Sequence, residues 1–336
     1  MPKVSILLVN WNGRHHLPDC LDSLAAQTFR DFEVVLVDNG SADGSVEFVR
    51  QGYPWVRLVP LAANTGFAGG NNAALAQASG EYLVTLNNDT RVEPGWLAEL
   101  VRVADAYPRA GMVASRICSF ADPDVIDSLG VRICPDGMSR SACRRQRFSQ
   151  LKLAPVEPIL IPTACAALYK RAMIEETGFF DEDFFAYCED TDLGLRGRRA
   201  GWEALLARDA VVYHKYSGTS GAFTPFKLYL VERNHFWVAL KNFPFPGLLL
   251  LPYHSLVRYL CQARLVAGGA GVGGEFRQSG VKGGVVGALA RGVLDALAGL
   301  PKVLRRRRQT PRRLTGREMA ALLRVYRMGF DELLDA

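Results

Sequence analysis

The stretch Leu83-Val84-Thr85-Leu86-Asn87-Asn88-Asp89-Thr90 decides how this chain is read. Its first four residues form a mostly apolar run of the kind that makes a buried strand. Asn87, Asn88 and Asp89 follow where such a strand stops. In an open α/β sheet, ligands bind just outside the carboxyl ends of the strands. A carboxylate placed there can hold a hard cation against a diphosphate. Asn-Asn-Asp-Thr is also good turn chemistry, so the surrounding chain has to decide.

Working outward, the upstream pattern is strand, helix, strand, helix. Val4 to Asn10 is a β-branched run, with Trp11-Asn12-Gly13-Arg14 as its exit loop, and Leu17, Leu21 and Leu24 recur at helical spacing. Phe32 to Asp38 reads as a second strand, with Asn39-Gly40-Ser41 after it, and Val56 to Pro60 as a shorter third. Parallel βαβ units with right-handed crossovers are expected. Asn64-Thr65-Gly66-Phe67-Ala68-Gly69-Gly70-Asn71-Asn72 then opens a helix. Glycines let backbone approach a ligand, and a helix N-terminus offers free N–H groups to phosphate. The spacing is not that of the dinucleotide fingerprint.

Downstream, Gly111 to Ser115 reads as a strand, and Ser119 to Leu160 as a weakly patterned, flexible, substrate-facing insertion. Order returns at Ile161 to Arg171, a strand feeding a helix. An aromatic-rich turn leads to Glu189-Asp190-Thr191-Asp192, and Glu203 to Tyr213 forms a strand ending at His214. Phe226 to Leu240 is helical. A proline-interrupted apolar segment covers 243–257, a hinge-like linker 268–274, and a helix 281–304.

The chain has 336 residues, 49% of them hydrophobic, enough for a sizeable core and about two domains. Its formal net charge is +6. The excess gathers at Arg144, Arg145 and Arg147, and more densely at Arg305 to Arg308 with Arg312, Arg313 and Arg317. The seven cysteines are odd in number and make no C-x-x-C pair, which argues against a disulfide framework and a zinc site. Reduced, cytosolic thiols are the simplest reading. No signal peptide is expected before the first strand. Pro244, Pro246, Pro252 and His254 interrupt the longest apolar stretch, so no spanning helix is expected.

Asp38, Asp89 and the Glu189-Asp190-Thr191-Asp192 group recur beside turn residues, followed by His214 at a later strand end. Together with Val4 to Asn12, Val37 to Ser41, Asn64 to Asn71 and Leu86 to Thr90, this order resembles family 2 glycosyltransferases, in their bacterial rhamnosyltransferase-like branch. The resemblance spans roughly residues 3–242.

The resemblance implies an α/β fold of the GT-A type: a Rossmann-like, mostly parallel sheet flanked by helices, with a helical C-terminal extension. It implies a catalytic domain over 1–225, its nucleotide-binding half at about 1–115 and its acceptor-binding half at about 116–225. The extension is 226–336. Val9, Asn10, Asn12, Asp38, Gly66, Gly70, Asn71, Asn87 and Asn88 would bind the nucleotide-sugar donor, with Asp38 on the base. Ala164 and Cys165 would line the donor sugar. The family's D-x-D motif is reduced here to Asn87-Asn88-Asp89, so Asp89 and His214 are the implied ligands of Mg²⁺ or Mn²⁺. Imidazole suits Mn²⁺ better. Asp190 is the implied base of an inverting transfer, with Glu189 as runner-up. Adjacent carboxylates repel, which can raise one pKa toward the operating pH. Asp192 and Trp202 are acceptor candidates, with a helix cap and a core tryptophan as their plainer alternatives. The processive Q-x-x-R-W motif is missing, so one sugar per acceptor is expected.

The branch points to rhamnose, carried as dTDP-rhamnose, moved onto a glycan or polyprenyl-diphosphate-linked acceptor. UDP-hexose, UDP-galactofuranose and GDP-mannose donors stay open. So does a non-catalytic nucleotide- or glycan-binding relative, because of the reduced motif. A nucleotidyltransferase would carry a basic, glycine-rich loop after the first strand, which Asn10 to Arg14 is not. Apolar residues between Val285 and Leu300, beside Arg305 to Arg308, suit a helix lying on an anionic membrane, so region 281–317 is the expected contact. The alternative is a helical hairpin packed on the protein. The expected location is cytoplasmic, peripheral on the inner face of the cell membrane. Nucleic acid is not an expected partner, because the basic cluster lacks interleaved aromatics.

Overall fold

The computed structural model describes residues 1–215, 224–268 and 284–335. The linker expected at 268–274 lies outside them apart from its first residue, as do residues 281–283 of the expected 281–304 helix. The described chain forms two compact units.

The first unit is built on one mixed sheet. β1 (Val4–Asn10), α1 (Leu17–Ala25), β2 (Phe32–Asp38), α2 (Ser45–Gly52), β3 (Arg57–Pro60), α3 (Gly66–Leu75) and β4 (Tyr82–Asn87) follow in order. β1 pairs in parallel with β2 on one side and β4 on the other. These strands are near-continuous apolar runs because both faces are covered. Val34 and Leu36 pack on the α1, α2 and α4 (Trp96–Ala106) side, whereas Val35 and Val37 pack on the α3 side. This is the two-residue period of a strand expressed as two cores.

The pairing register sets the site. Asn10 lies opposite Asp38, and Val9 opposite Asn87, so the turn residues of three strands emerge at one edge. β5 (Thr90–Val92) follows β4 directly. Beyond α4 come β6 (Ala110–Ser119) and β7 (Ile126–Ser128), then β8 (Val131–Ile133) and β9 (Ser139–Ser141), which form a separate two-stranded sheet falling mostly in the second unit, then β10 (Val156–Pro158) and β11 (Ala166–Lys170). α5 (Arg171–Thr177), α6 (Glu189–Arg199) and β12 (Glu203–His214) complete the unit. The sheet order is β10-β12-β6-β11-β4-β1-β2-β3. β11 runs antiparallel between β4 and β6, and β12 is parallel to β6. β5 pairs with the end of β12, which sets His214 opposite Thr90. The segment 119–160 is not the unpatterned insertion expected of it: β7 pairs with β6 and β10 with β12. Its short strands carry too few residues to show a period in sequence.

The second unit is helical, with α7 (Pro225–Asn242), α8 (Phe245–Leu249), α9 (Leu251–Gly268), α10 (Val285–Ala298), α11 (Leu300–Gln309), α12 (Gly316–Val325) and α13 (Phe330–Asp335). Residues 132–140 and 199–201 belong to it. α10 lies closely on α7. A Cβ at Gly292 would sit 3.0 Å from Glu232 Cβ, and Trp237 Nε1 donates to the Ala296 carbonyl at 3.2 Å. The arginine run does not all face water. Arg307 donates to the carbonyls of Leu240 and Phe243 at 2.7 and 2.6 Å, capping the end of α7. Among the described residues, no helix is long and apolar enough to cross a membrane.

Candidate active site

Three clusters of side chains meet at the carboxyl edge of the sheet. In the first, Asn88 Nδ2 donates to Asn10 Oδ1 at 2.7 Å, and Asn10 Nδ2 donates to Asp38 Oδ2 at 3.0 Å. Ser41 N–H donates to Asp38 Oδ1 at 2.9 Å, and Asn12 Oδ1 accepts from Ala42 N–H at 2.8 Å. The loops after β1, β2 and β4 are thereby locked together. Asn39, which sequence reasoning passed over, extends the lock. Its amide donates to the Gly66 carbonyl and accepts from Thr65 N–H, both at 2.9 Å.

The glycine-rich start of α3 differs from expectation. Gly66 N–H goes to Asn64 Oδ1, and Ala68 N–H to the Phe185 carbonyl at 3.1 Å, so these N–H groups are not free for phosphate. The glycines serve close packing instead. Gly66 holds φ +78°, and a Cβ there would collide with the Phe185 carbonyl; one at Gly70 would lie 2.7 Å from Val9 Cγ1. Asn71 is buried and donates back to Phe67 O within its own helix.

The second cluster centres on Asp89. Its Oδ1 lies 3.3 Å from His214 Nε2, because β5 and the end of β12 pair side by side. His214 Nδ1 in turn lies 2.7 Å from Asp127 Oδ2, and Arg144 Nε is 3.6 Å from the other Asp127 oxygen. Sequence reasoning missed Asp127. It sits on β7, inside the segment taken for a flexible insertion. Cys165 hydrogen-bonds His214 through its thiol. Burial raises the Asp89 carboxyl, but the hydrogen bond and charge of His214, with the charge of His16, outweigh it and hold the group below the usual range. Burial works against a charged His214 ring, yet Cys165, Asp127 and Asp89 outweigh it and raise the ring well above its ordinary value.

A metal can be tested against this donor set. Among the described residues, no group of three or more His, Cys, Asp and Glu side chains is arranged as a cage. The pair still fits a cation. Asp127 accepts from Nδ1, and Nε2 faces the Asp89 carboxylate, so a cation that displaced the Nε2 proton would find an imidazole nitrogen and a carboxylate together, with the ring held by Asp127. Diphosphate oxygens and water would complete such a shell.

The third cluster holds Asp190. Ala164 N–H donates to its Oδ2 at 3.1 Å, and Thr191 N–H to its Oδ1 at 2.6 Å. Burial outweighs these bonds and raises its pKa. Next door, the Cys165 carbonyl accepts from Asn87 N–H at 2.8 Å, so Asp190 hangs from the strand that adjoins the Asp89 turn. Glu189 is buried, and its Oε2 has no hydrogen-bond partner among the described residues. Burial, reinforced by the charge of Asp190, pushes its carboxyl well up. Phe185, Tyr187 and Cys188, just upstream, all take positive φ, between 64 and 69°. Such backbone is costly for side chains of this size and clusters at functional sites.

Two candidates fall outside this arrangement. Asp192 is fully buried and pairs with Arg196 Nε at 2.9 Å, so it cannot meet an acceptor. Trp202 is half-buried: its Nε1 donates to Glu176 at 2.9 Å, and it packs against Gly111 and the hydrophobic cluster under α5.

A mixed sheet with turn-borne carboxylates at its carboxyl edge is the architecture of a nucleotide-dependent transferase. Residues 5–178 match Glycosyl transferase family 2, and the chain belongs to this family; it is a glycosyltransferase. It is similar to the N-acetylglucosaminyl-diphospho-decaprenol L-rhamnosyltransferase of Mycobacterium tuberculosis, at 30% identity over 287 residues, 75% of this chain and 92% of that protein. Among solved structures, it resembles in fold the mannosyltransferase PcManGT from Pyrobaculum calidifontis in complex with GDP-Man and Mn²⁺. That likeness has a TM-score of 0.52 at 18% identity, over 89% of this chain and 87% of that one. GalNAc-T7 with UDP, GalNAc and Mn²⁺ gives a TM-score of 0.60 at 17% identity, over 75% and 50%.

Proposed function

We propose that this glycosyltransferase is an inverting enzyme in which Asp190 is the general base. The observation that carries the reading is the Asp190 carboxyl. Two backbone N–H groups hold its orientation, while burial raises its pKa. A carboxylate with a raised pKa is a stronger base, and it takes the proton of an acceptor hydroxyl as that oxygen attacks the donor carbon from the face opposite the leaving group. Glu189, the runner-up, is buried beside it, and burial with the Asp190 charge pushes its carboxyl well up.

Asp38, Asn10, Asn12 and Asn88 form the nucleotide end of the site, with Val9, Gly66, Gly70, Asn71 and Asn87 shaping it. Ala164 and Cys165 leave room for the donor sugar. Asp89 and His214 would hold Mg²⁺ or Mn²⁺, which when bound stabilises the departing nucleoside diphosphate as a Lewis acid. The catalytic domain is 1–225 and the helical extension 226–336.

The donor we favour is dTDP-rhamnose and the acceptor a polyprenyl-diphosphate-linked glycan at the inner face of the membrane. Supporting this is the mycobacterial relative, by its name an L-rhamnosyltransferase acting on a diphospho-decaprenol-linked sugar. Region 281–317 would contribute to membrane contact.

The test is nucleoside diphosphate release from a panel of dTDP-, UDP- and GDP-sugars, with Mg²⁺ or Mn²⁺, with and without a polyprenyl-linked acceptor. Acceptor-dependent turnover of dTDP-rhamnose, giving the inverted anomer and lost in Asp190→Asn, is expected. Turnover of another donor alone overturns the sugar; a retained anomer overturns the mechanism.

A further inference from the structure

Helix α9 carries an apolar stripe on its outward face and a buried arginine on its inner one. Leu251, Ser255 and Arg258 are buried, Val257 and Cys261 pack on the hydrophobic cluster around Cys134 and Met328, and Tyr253, Leu256 and Leu260 face outward, each more than half exposed. The inward charge is fully used. Arg258 Nε donates to Asp136 Oδ2 at 2.5 Å and Nη2 to Glu232 Oε1 at 2.9 Å, and Tyr259 donates to the same Glu232 oxygen. His235 packs against this network, its pKa pushed down to about 3 by burial and then by the Arg258 charge. A surface helix in water turns its apolar stripe to the core and its charges outward. Here the ion pairs fix an orientation that leaves Tyr253, Leu256 and Leu260 outside, because rotating the helix would strand Asp136 and Glu232 without their partner.

The exposed stripe continues into α8, where Phe245 and Leu249 are also more than half exposed. Cations stand at both ends. Arg307 reaches the Phe243 carbonyl at 2.6 Å, which places the arginine turn of α11 beside the start of α8, and Arg305 and Arg308 of that turn are exposed. Arg264, past Leu260, is exposed at the other end. An apolar stripe bounded by cations matches the boundary between acyl chains and anionic headgroups. The same charge disfavours a second copy of this surface.

We propose that α8–α9 is a lipid-docking surface, seated in the interface of an anionic bilayer with Phe245, Leu249, Tyr253, Leu256 and Leu260 inward and Arg264, Arg305 and Arg308 on the headgroups. It shares Arg305 and Arg308 with the 281–317 region expected from the sequence but puts the apolar contact on α8–α9 instead of α10, and it holds whichever donor the enzyme uses.

The experiment is flotation of the full chain with vesicles of phosphatidylcholine, alone or mixed with phosphatidylglycerol. Binding to the anionic vesicles, weakening with salt, is expected. Arg305→Ala with Arg308→Ala weakens it roughly thirtyfold, at about 1 kcal/mol per cation. Leu256→Glu with Leu260→Glu abolishes it. Tyr253→Trp, an exposed aromatic exchanged for another, reports insertion without threatening the fold: brominated acyl chains quench its emission beyond the wild-type level. Absence of flotation by the folded wild type overturns the proposal, as does a Tyr253→Trp variant that is not quenched. So does a Leu256→Glu, Leu260→Glu variant that still floats while a wild-type dimer becomes monomeric, which assigns the face to a second copy. Turnover with a short, water-soluble acceptor reports on the catalytic reading separately.

Discussion

His214 Nδ1 lies 2.7 Å from Asp127 Oδ2, across 87 residues of sequence, and this contact fixes which ring nitrogen faces Asp89. With the Nδ1 proton held by Asp127, Nε2 is the nitrogen that faces Asp89 and would take a cation once its own proton is displaced. Asp127→Ala is expected to weaken Mn²⁺ binding about 10- to 100-fold. Asp127→Asn, which keeps an acceptor oxygen, should weaken it less. Manganese EPR titration of the folded variants, with nucleoside diphosphate present, checks this. Equal affinity in wild type and Asp127→Ala would mean that the contact does not orient a ligand.

Asp190→Asn removes the base and leaves the shape. Turnover should fall about 10²- to 10⁴-fold, with donor affinity nearly unchanged. The wild-type rate should fall as pH drops through the raised Asp190 pKa, because only the carboxylate accepts a proton. A pH–rate profile with the acid limb in the ordinary Asp range would count against the assignment.

Glu189 is expected to act on stability with the opposite sign to a salt-bridged acid. Its folded-state pKa is raised, so the native protein binds this proton more tightly than the unfolded chain does. Stability is therefore lost as pH rises from the unfolded value, about 4.3, toward the folded one. Glu189→Gln keeps the shape without the charge and should gain stability relative to wild type across that window. Denaturant melts at a series of pH values test it; a pH-independent difference would contradict the buried-acid reading.

Asp192 belongs to the scaffold. Arg196 bonds Asp192 and also donates to the Thr177, Gly178 and Phe179 carbonyls. Asp192→Ala leaves that guanidinium buried without its counter-charge, at a cost of about 3–5 kcal/mol. The loss should appear in denaturant melts, with KM for the acceptor unaltered in whatever fraction stays folded. A raised acceptor KM at full stability would return Asp192 to the site.

The parallel core was readable along the chain because its signals are local. Val4 to Asn10, Phe32 to Asp38 and Leu83 to Asn87 are apolar runs stopped by turn residues, and such runs, once paired, bring Asn10, Asp38 and Asn87 to one edge. Asp89, Asp190 and His214 were named from that logic and from family likeness. Periodicity states which residues share a face and is silent on what the face meets. Asp127 came from a segment with no readable period, and only the β7–β6–β12 pairing carries it to His214. Asp192 and Trp202 had the right chemistry, but packing buried the first beside Arg196 and engaged the second with Glu176 and the cluster under α5. The glycines of α3 fit a phosphate cradle as well as a tight helix–sheet contact, and the Phe185 carbonyl settled which. The sequence shows only a proline-interrupted apolar segment at 243–257; the buried pairing of Arg258 with Asp136 and Glu232 leaves Leu256 and Leu260 turned out. Local sequence determined the elements and their faces, whereas contacts between residues far apart in the chain decided which face was buried and which polar group found a partner, since desolvation of a charge is set by its three-dimensional neighbours.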